Sequence, residues 1–557
     1  MHRSGTMDAS RIPVIVGVSR RTELFAKKAI KQPELLSREL LVDRQPSKDL
    51  ARAAVEALGD AGLTPDHIGT LAAVRMAPLL GPPRKQAHIN VDEMYNNLAG
   101  SVGHQLGLRE TKILINTADG GNTPQLLVNE LAERIARGED LGGVAVVVGG
   151  ESIALFKAAK VHRMDVPWGF DNEPACTSTR IEHVGLQKPG FAPTEVANAL
   201  SAPRCAYALM EQAFRASVGA PLPAHVERCA RILDRFNAVA ALDPAKSWFP
   251  QRHDWKAIAT PSKDNRVICT PYTKRMNAVM DVDQYGAIVL TSLAEARRLN
   301  VPADKFVFLH GCGEAMEPAW YFSSRPALGA SPAMATALHN ALDTAGVTAQ
   351  DIAVFDLYSC FPVAVEIACE ALGIDPVTDP RPLTVIGGLP YAGGPGNSYV
   401  VMSIAGMVTA LRQGAYRGKF GLLNSNGWMV TKHAAGVYST EPPAKPFARR
   451  NPAAVQTELE RVAPAVVVVP RPSVGTRGRI DAYTVDCTRG AGKYVAVVIA
   501  STLDGSPHRF VASSREAAVV DGLLARDCMG ETVVVVAPPP AGAADANHFV
   551  LAERSAL

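Results

Sequence analysis

Two stretches almost three hundred residues apart follow the same pattern: "ALGDAGLTPDHIGTL" (57–71) and "ALDTAGVTAQDIAVF" (341–355). Both have Ala-Leu, then Ala-Gly, an aliphatic residue, Thr, and an Ile five positions after the aliphatic one. Each predicts a helix stopped by glycine, a short loop and a strand. A second pair follows in the same order, "AERIARGEDLGGVAVVVGG" (132–150) and "VTALRQGAYRGKFGLLNSNG" (408–427). One match is compatible with convergence on a common helix-loop-strand pattern. Two in order argue for a duplicated α/β half.

The rest of residues 11–440 fits that reading. "RIPVIVGVSR", "TLAAVRM", "TKILIN" and "GGVAVVVGGES" are short Val/Ile-rich runs suited to strands buried on both faces. They alternate with helical patterns such as "SKDLARAAVEALGDAG" and "TPQLLVNELAERIARG", which implies right-handed βαβ units. The predicted organisation is an N-terminal half (1–154), a helical insert (155–270), a C-terminal half (271–440), a Pro-rich linker (441–460) and a small all-β barrel (461–557) with six strands, the first of them "APAVVVVP".

Bulk properties narrow the function. The chain has 557 residues, 20% of them charged, and a formal charge of +3, too small to suggest nucleic acid or an anionic membrane surface. No apolar run approaches the roughly 20 residues of a membrane helix. Nine cysteines occur without CxxC or zinc-type His/Cys spacing, so reduced thiols in a cytoplasmic protein are expected, with no metal. The i, i+2 carboxylates Asp281 and Asp283 have no evident third ligand. His310 and His433 border strand ends and are expected to be structural. No GxGxxG follows the first strand, so no nicotinamide cofactor is expected.

The ordered motifs resemble the thiolase superfamily. "NTADGGN" (116–122) resembles N-x-x-C-x-S-G, with Asp119 at the nucleophilic Cys position. "VVVGGES" (146–152) resembles G-G-x-E-S, with Glu151 in place. "GGLPYAGGPGNS" (387–398) resembles G-G-x-x-x-x-G-H-P-x-G, with Gly394 replacing the His. "FDLYSCFP" (355–362) resembles the N-E-A-F or H-D-C-F stretch and carries Tyr358 and Cys360, while "LLNSNGW" (422–428) takes the place of the last C-x-G loop without its Cys. With "PYTKRMNAVMDVDQ" (271–284), "TKHAAGVYS" (431–439) and the barrel, the chain is most similar to thiolase-like proteins of type 1. These are related to sterol-carrier-protein-type thiolases and usually labelled acetyl-CoA acetyltransferase.

The resemblance implies the thiolase fold, a link to acyl-CoA or lipid metabolism, and a coenzyme A thioester as ligand with no permanently bound cofactor. It also implies a homodimer with "TKILIN" near the contact, although a fused C-terminal domain leaves a monomer open. The departures argue against thiolysis or Claisen condensation. A carboxylate at 119 forms only a labile anhydride, Gly394 moves no proton, and losing both groups removes most of the acceleration.

What remains is backbone polarisation of a thioester around Gly120, Gly394, Asn426 and Gly427, with Tyr358, Cys360 and Asp119 as candidate catalytic side chains. Asp119 is equally well read as a helix cap and Tyr358 as pocket filler, and a buried Cys such as Cys360 is usually inert packing. Two alternatives to a nominal acyltransferase stay open. One is a retro-aldolase on β-hydroxyacyl-CoA with Tyr358 as acid/base. It resembles steroid side-chain aldolases, which work with a separate small-barrel partner. The other is a non-catalytic acyl-CoA-binding or assembly protein.

Overall fold

The computed structural model describes residues 7–76, 95, 97–168, 176–488, 490, 492–538 and 545–552. Ten strands form one large mixed sheet, and its order exposes the duplication. On the N-terminal half's side of the sheet, Pro13–Thr22 is followed by Asp283–Ser292, which comes from the stretch 271–440 expected for the C-terminal half, and then by Val144–Ser152, Ile68–Ala73 and Glu110–Thr117. In the C-terminal half, Val307–Met316 is followed by Lys432–Ser439, Phe420–Gly427 and Ile352–Asp356. Where the first half has its fifth strand, the second has only Pro382 and Leu383 accepting N–H bonds from Phe355 and Leu357. The halves meet where Pro13–Thr22 and Val307–Met316 pair antiparallel through two residues each.

The repeated sequences occupy equivalent places. Helix Pro46–Asp60 and helix Pro332–Ala345 each end before a short loop that leads into Ile68–Ala73 or Ile352–Asp356. Each helix presses its backbone onto a strand glycine. A Cβ on Gly17 would lie 2.0 Å from the Ala57 carbonyl oxygen, and one on Gly311 would lie 2.4 Å from that of Ala341. Ala57 and Ala341 are the alanines that open the two aligned stretches. Helices Thr123–Ala136 and Tyr399–Arg412 contact strands of both halves and form the shared inner layer. Their strands are correspondingly apolar, and every residue of Val144–Ser152 is buried.

The insert is mainly helical, with Pro203–Ser217 and the long Leu222–Leu242 covering the loop face. It also supplies an unforeseen edge strand, Thr177–Val184, which pairs in parallel with Glu110–Thr117 along its length. Glu110–Thr117, containing "TKILIN", is therefore flanked on both sides by its own chain. The homodimer contact expected there has no free edge to form on.

The C-terminal unit is a closed barrel of five strands, not six: Arg477–Asp486, Val495–Thr502, Arg509–Ser514, His548–Leu551 and Thr532–Val536, with Arg477–Asp486 closing onto Val495–Thr502. "APAVVVVP" makes only a bridge, Val468 to Arg509. Its backbone bonds are split between the body (Val466 N–H to Ser324 O, 2.8 Å) and, through that bridge, the barrel (Val469 N–H to Arg509 O, 2.7 Å). The barrel also gains an unforeseen helix, Ala517–Ala525, and another helix, Pro452–Val462, starts within the Pro-rich linker behind the cap Asn451.

The barrel is built into the body. Strand Val267–Cys269 of the insert extends its sheet by pairing with Arg477–Asp486, and the ion pairs Arg204–Asp486 (2.9 Å) and Arg215–Asp527 (2.8 Å) cross the junction. The nine cysteines are free and buried, and no described helix is long and apolar enough to cross a membrane.

Candidate functional site

The loops that leave the strand ends converge on a cavity of about 570 Å³ between the two halves, the insert and strand Val267–Cys269. Asp119, Gly120, Tyr358, Cys360, Gly394 and Asn426 all line it. Gly427 does not. A Cβ there would lie 2.5 Å from Asn122 Oδ1 and 3.2 Å from the Gly120 Cα, so its role is to let the two loop backbones touch.

Asp119 is buried and held by its neighbours. Its Oδ2 accepts from Gln187 Nε2 at 2.6 Å, its Oδ1 accepts from Asn397 Nδ2 at 3.2 Å, and Arg75 Nε lies 3.4 Å away. No cap bond to helix Thr123–Ala136 forms, so the helix-cap reading of Asp119 is corrected. The backbone around it is also engaged. The Asp119 N–H donates to Gln187 Oε1 and the Gly120 N–H to Asn397 Oδ1, both at 2.9 Å. The expectation that the Gly120 amide is available to a thioester carbonyl is corrected for the same reason.

The buried Lys432 ammonium donates to the Asp119 and Leu186 carbonyl oxygens. Burial pushes its pKa down to about 8, against the pull of the Asp119 carboxylate. Gly120, at φ +143°, has no Cβ to obstruct the lysine; one would lie 2.8 Å from Lys432 Cε.

The facing loop differs. The Tyr358 amide donates to Asn424 Oδ1 at 2.8 Å, which fixes the turn after Ile352–Asp356, and its ring meets Tyr399 edge-on at 5.6 Å. Its hydroxyl approaches Gly121, where a Cβ would lie 2.5 Å away, and has no hydrogen-bond partner among the described residues. Burial drives the phenol well above its ordinary value, with Cys360 adding to the rise, so it is a neutral donor and not a base. Burial likewise pushes the Cys360 thiol up to about 12, and Asn426 Nδ2 lies 3.9 Å from its sulfur. Among the described residues, no imidazole lines the cavity to deprotonate it.

Asn426 also donates to Tyr207 Oη at 2.8 Å, while its own carbonyl oxygen is buried with no partner among the described residues. At Gly394 a Cβ would come within 3.2 Å of the Val279 carbonyl oxygen and 3.4 Å of Leu389 Cδ2, a tight fit for any side chain. The mouth carries the exposed cations Arg266 and Lys274, neither in an ion pair among the described residues, beside Arg204, which is committed to Asp486.

The other singled-out residues have structural partners. Asn116 accepts the Ala99 N–H and donates to Asn97, both at 3.0 Å, anchoring helix Leu98–Gln105. Asp283 accepts the Ala154 and Leu155 amides, and Asp281 pairs with Lys157, so the D-x-D stretch holds helix Ile153–Val161 in place. His310 bonds the Glu441 carbonyl at 2.8 Å, and burial pushes His433 down to about 3; neither lines the cavity. Sequence reasoning missed Lys432, Asn397, Gln187 and Tyr207. Lys432 had a signal, being a lone cation among the small residues of "TKHAAG", five residues beyond Gly427.

No protein-family model matches the chain, and no curated protein does. Among solved structures, a monomeric SCP2-thiolase-like protein type 1 from Mycobacterium smegmatis is 30% identical, with a TM-score of 0.76 over 98% of this chain and 100% of its own. The chain belongs to the SCP2-thiolase-like protein type 1 family. Two further structures share the SCP2-thiolase-like fold at lower identity. The dimeric peroxisomal thiolase of Saccharomyces cerevisiae is 14% identical, with a TM-score of 0.52 over 78% of this chain and 99% of its own. The Ltp2-ChsH2(DUF35) aldolase is 16% identical, with a TM-score of 0.53 over 78% of this chain and 98% of its own. In this SCP2-thiolase-like protein the nucleophile position and the histidine position both face the cavity, occupied by a pinned carboxylate and by a glycine.

Proposed function

We propose that this protein binds an acyl-CoA thioester without carrying out thiolysis or condensation on it. One observation carries the reading: a thioester-sized cavity lined by Tyr358, Cys360 and Asn426, with cations at its mouth that are in no ion pair among the described residues. Arg266 and Lys274 suit the phosphates of coenzyme A, and the unpartnered Asn426 carbonyl suits an amide N–H of its pantetheine arm. Tyr358 then donates to the thioester carbonyl. Among the described residues of the cavity no group is placed to abstract a proton, because Asp119 is engaged by Gln187, Asn397 and Arg75, and Cys360 stays a thiol.

The test is calorimetry with acyl-CoAs of graded chain length against the wild type and an Arg266→Glu/Lys274→Glu variant. Saturable heat that the charge reversal removes supports the reading, and no heat with any acyl-CoA ends it.

A retro-aldolase with Tyr358 as its general acid is the second reading, favoured alone by a hydroxyl that has no partner among the described residues. Turnover of a β-hydroxyacyl-CoA to an aldehyde or ketone and a shorter acyl-CoA, lost in Tyr358→Phe, would replace the binding-only reading.

A further inference from the structure

Behind the cavity wall, three helices bring four ionisable side chains to one dry point. Glu211 comes from Pro203–Ser217, His225 and Cys229 from Leu222–Leu242, and Glu366 from Pro362–Leu372. Each is at most 1% exposed, and one ligand atom from each lies within 4.8 Å of all the others. His225 and Cys229 are four residues apart, so they share a helix face. His225 Nε2 lies 2.5 Å from Glu211 Oε1 and 3.5 Å from Glu366 Oε2. That Glu366 oxygen is fully buried, points at the cluster, and has no hydrogen-bond partner among the described residues.

We propose that Glu211, His225, Cys229 and Glu366 form a structural site for one zinc-like divalent cation, joining the insert helices to the C-terminal half. Two carboxylate oxygens, an imidazole nitrogen and a thiolate are the mixed donor set a borderline cation such as zinc accepts, and four protein ligands leave no open position. Ligand bonds of about 2.0–2.3 Å put tetrahedral ligand atoms about 3.3–3.8 Å apart. The 2.5 Å contact therefore opens and the widest separation closes by about 1 Å.

The contacts to the two carboxylates are those of a metal's outer shell, while His225 Nδ1 has no partner among the described residues. Tyr272 donates to the other Glu211 oxygen at 2.6 Å, and Arg228 donates to the other Glu366 oxygen at 3.0 Å while also holding Asp375 at 2.9 Å. With both carboxylates and the thiol ionised, the divalent cation and Arg228 balance the cluster's charge. Burial drives the Glu211 and Glu366 carboxyls up, and for Glu366 the adjacent Glu211 adds to the rise, so the competing occupant is a proton shared between them. The site sits beneath the cavity, because Tyr272 stacks on Phe361 at 5.5 Å and Phe361 on Tyr207 at 4.4 Å.

The test is the metal content of the purified full chain, read by plasma mass spectrometry, followed by Co²⁺ titration of chelator-treated protein. The expected result is one ion per chain, with Co²⁺ producing the intense visible bands of a four-coordinate site and a thiolate charge-transfer band. Cys229→Ser should abolish that band, and Glu366→Gln should weaken Co²⁺ binding at least about tenfold. Cys205→Ser should change neither; it alters a second buried group, Cys205 with Cys269 and Asp486. Should the cluster variants fail to fold, the wild-type titration decides alone. A chain that carries no metal, gives no Co²⁺ spectrum and melts at the same temperature with and without Zn²⁺ overturns the proposal in favour of the shared proton. A charge-transfer band lost in Cys205→Ser overturns it as well.

Discussion

The two loops that face each other across the cavity have opposite chemistry. On the N-terminal side the polar groups around Asp119 turn inward, to Gln187, Asn397, Arg75 and Lys432. On the C-terminal side the Tyr358 hydroxyl and Cys360 thiol face the cavity, with the phenol unpaired among the described residues. The first loop has become a structural joint between halves, and the second is where a ligand is met. Substitutions on the joint should therefore change stability, and those on the facing loop should change binding.

The largest effect is expected from Asp119→Ala, which removes the acceptor of Gln187 Nε2, one of the two acceptors of Asn397 Nδ2 and the carboxylate beside Arg75. A loss of about 3 kcal/mol is expected in denaturant unfolding. A loss below about 1 kcal/mol would show that the loop is not a joint.

Lys432 adds a pH signature of about 2 kcal/mol. The folded chain sheds this proton near pH 8, whereas the unfolded chain keeps it to the ordinary 10.5. Between those values the unfolded state binds the extra proton, so this group's contribution to stability rises with pH. Urea midpoints of the wild type should climb from pH 8 to 10 relative to Lys432→Met, and parallel curves would refute the burial described for the ammonium.

Tyr358→Phe should leave the melting temperature unchanged and weaken acyl-CoA binding about fivefold, equivalent to about 1 kcal/mol. Calorimetry with free coenzyme A, which lacks the carbonyl, should show no change, and equal losses for both ligands would remove Tyr358 from the thioester.

The smallest effect is expected at Cys360. With its thiol pushed up to about 12, alkylation at pH 8 followed by peptide mass mapping should find it unmodified in the folded chain. Rapid labelling would mean that the facing loop holds a nucleophile after all.

Much of this architecture was legible in the chain because it rests on local periodicity. The pair 57–71 and 341–355 identified the duplication, since a glycine-stopped helix before a buried strand is written in consecutive residues. The barrel was legible for the same reason, but "APAVVVVP" was misread. Strand-like composition does not reveal whether a partner strand exists, and these residues divide their bonds between the body and the barrel. The helix Ala517–Ala525 was missed because "AAVVDGLLA" is apolar on nearly every side, which removes the amphipathic signal.

In the cavity, the sequence by itself determined which reactive groups are absent, because a nucleophile or an imidazole is present at a motif position or it is not. Asp119, Gly394 and Tyr358 settled that without coordinates. Only the tertiary structure decided what the remaining groups are bonded to. Gln187 reaches Asp119 from the insert, and Asn397 and Lys432 reach it from the other half. Glu211 and Glu366 stand 155 positions apart and meet His225 across three helices. Hydrogen-bond saturation, desolvation and ligand geometry depend on separation in space. In a duplicated fold with a long insert, that separation bears little relation to distance along the chain.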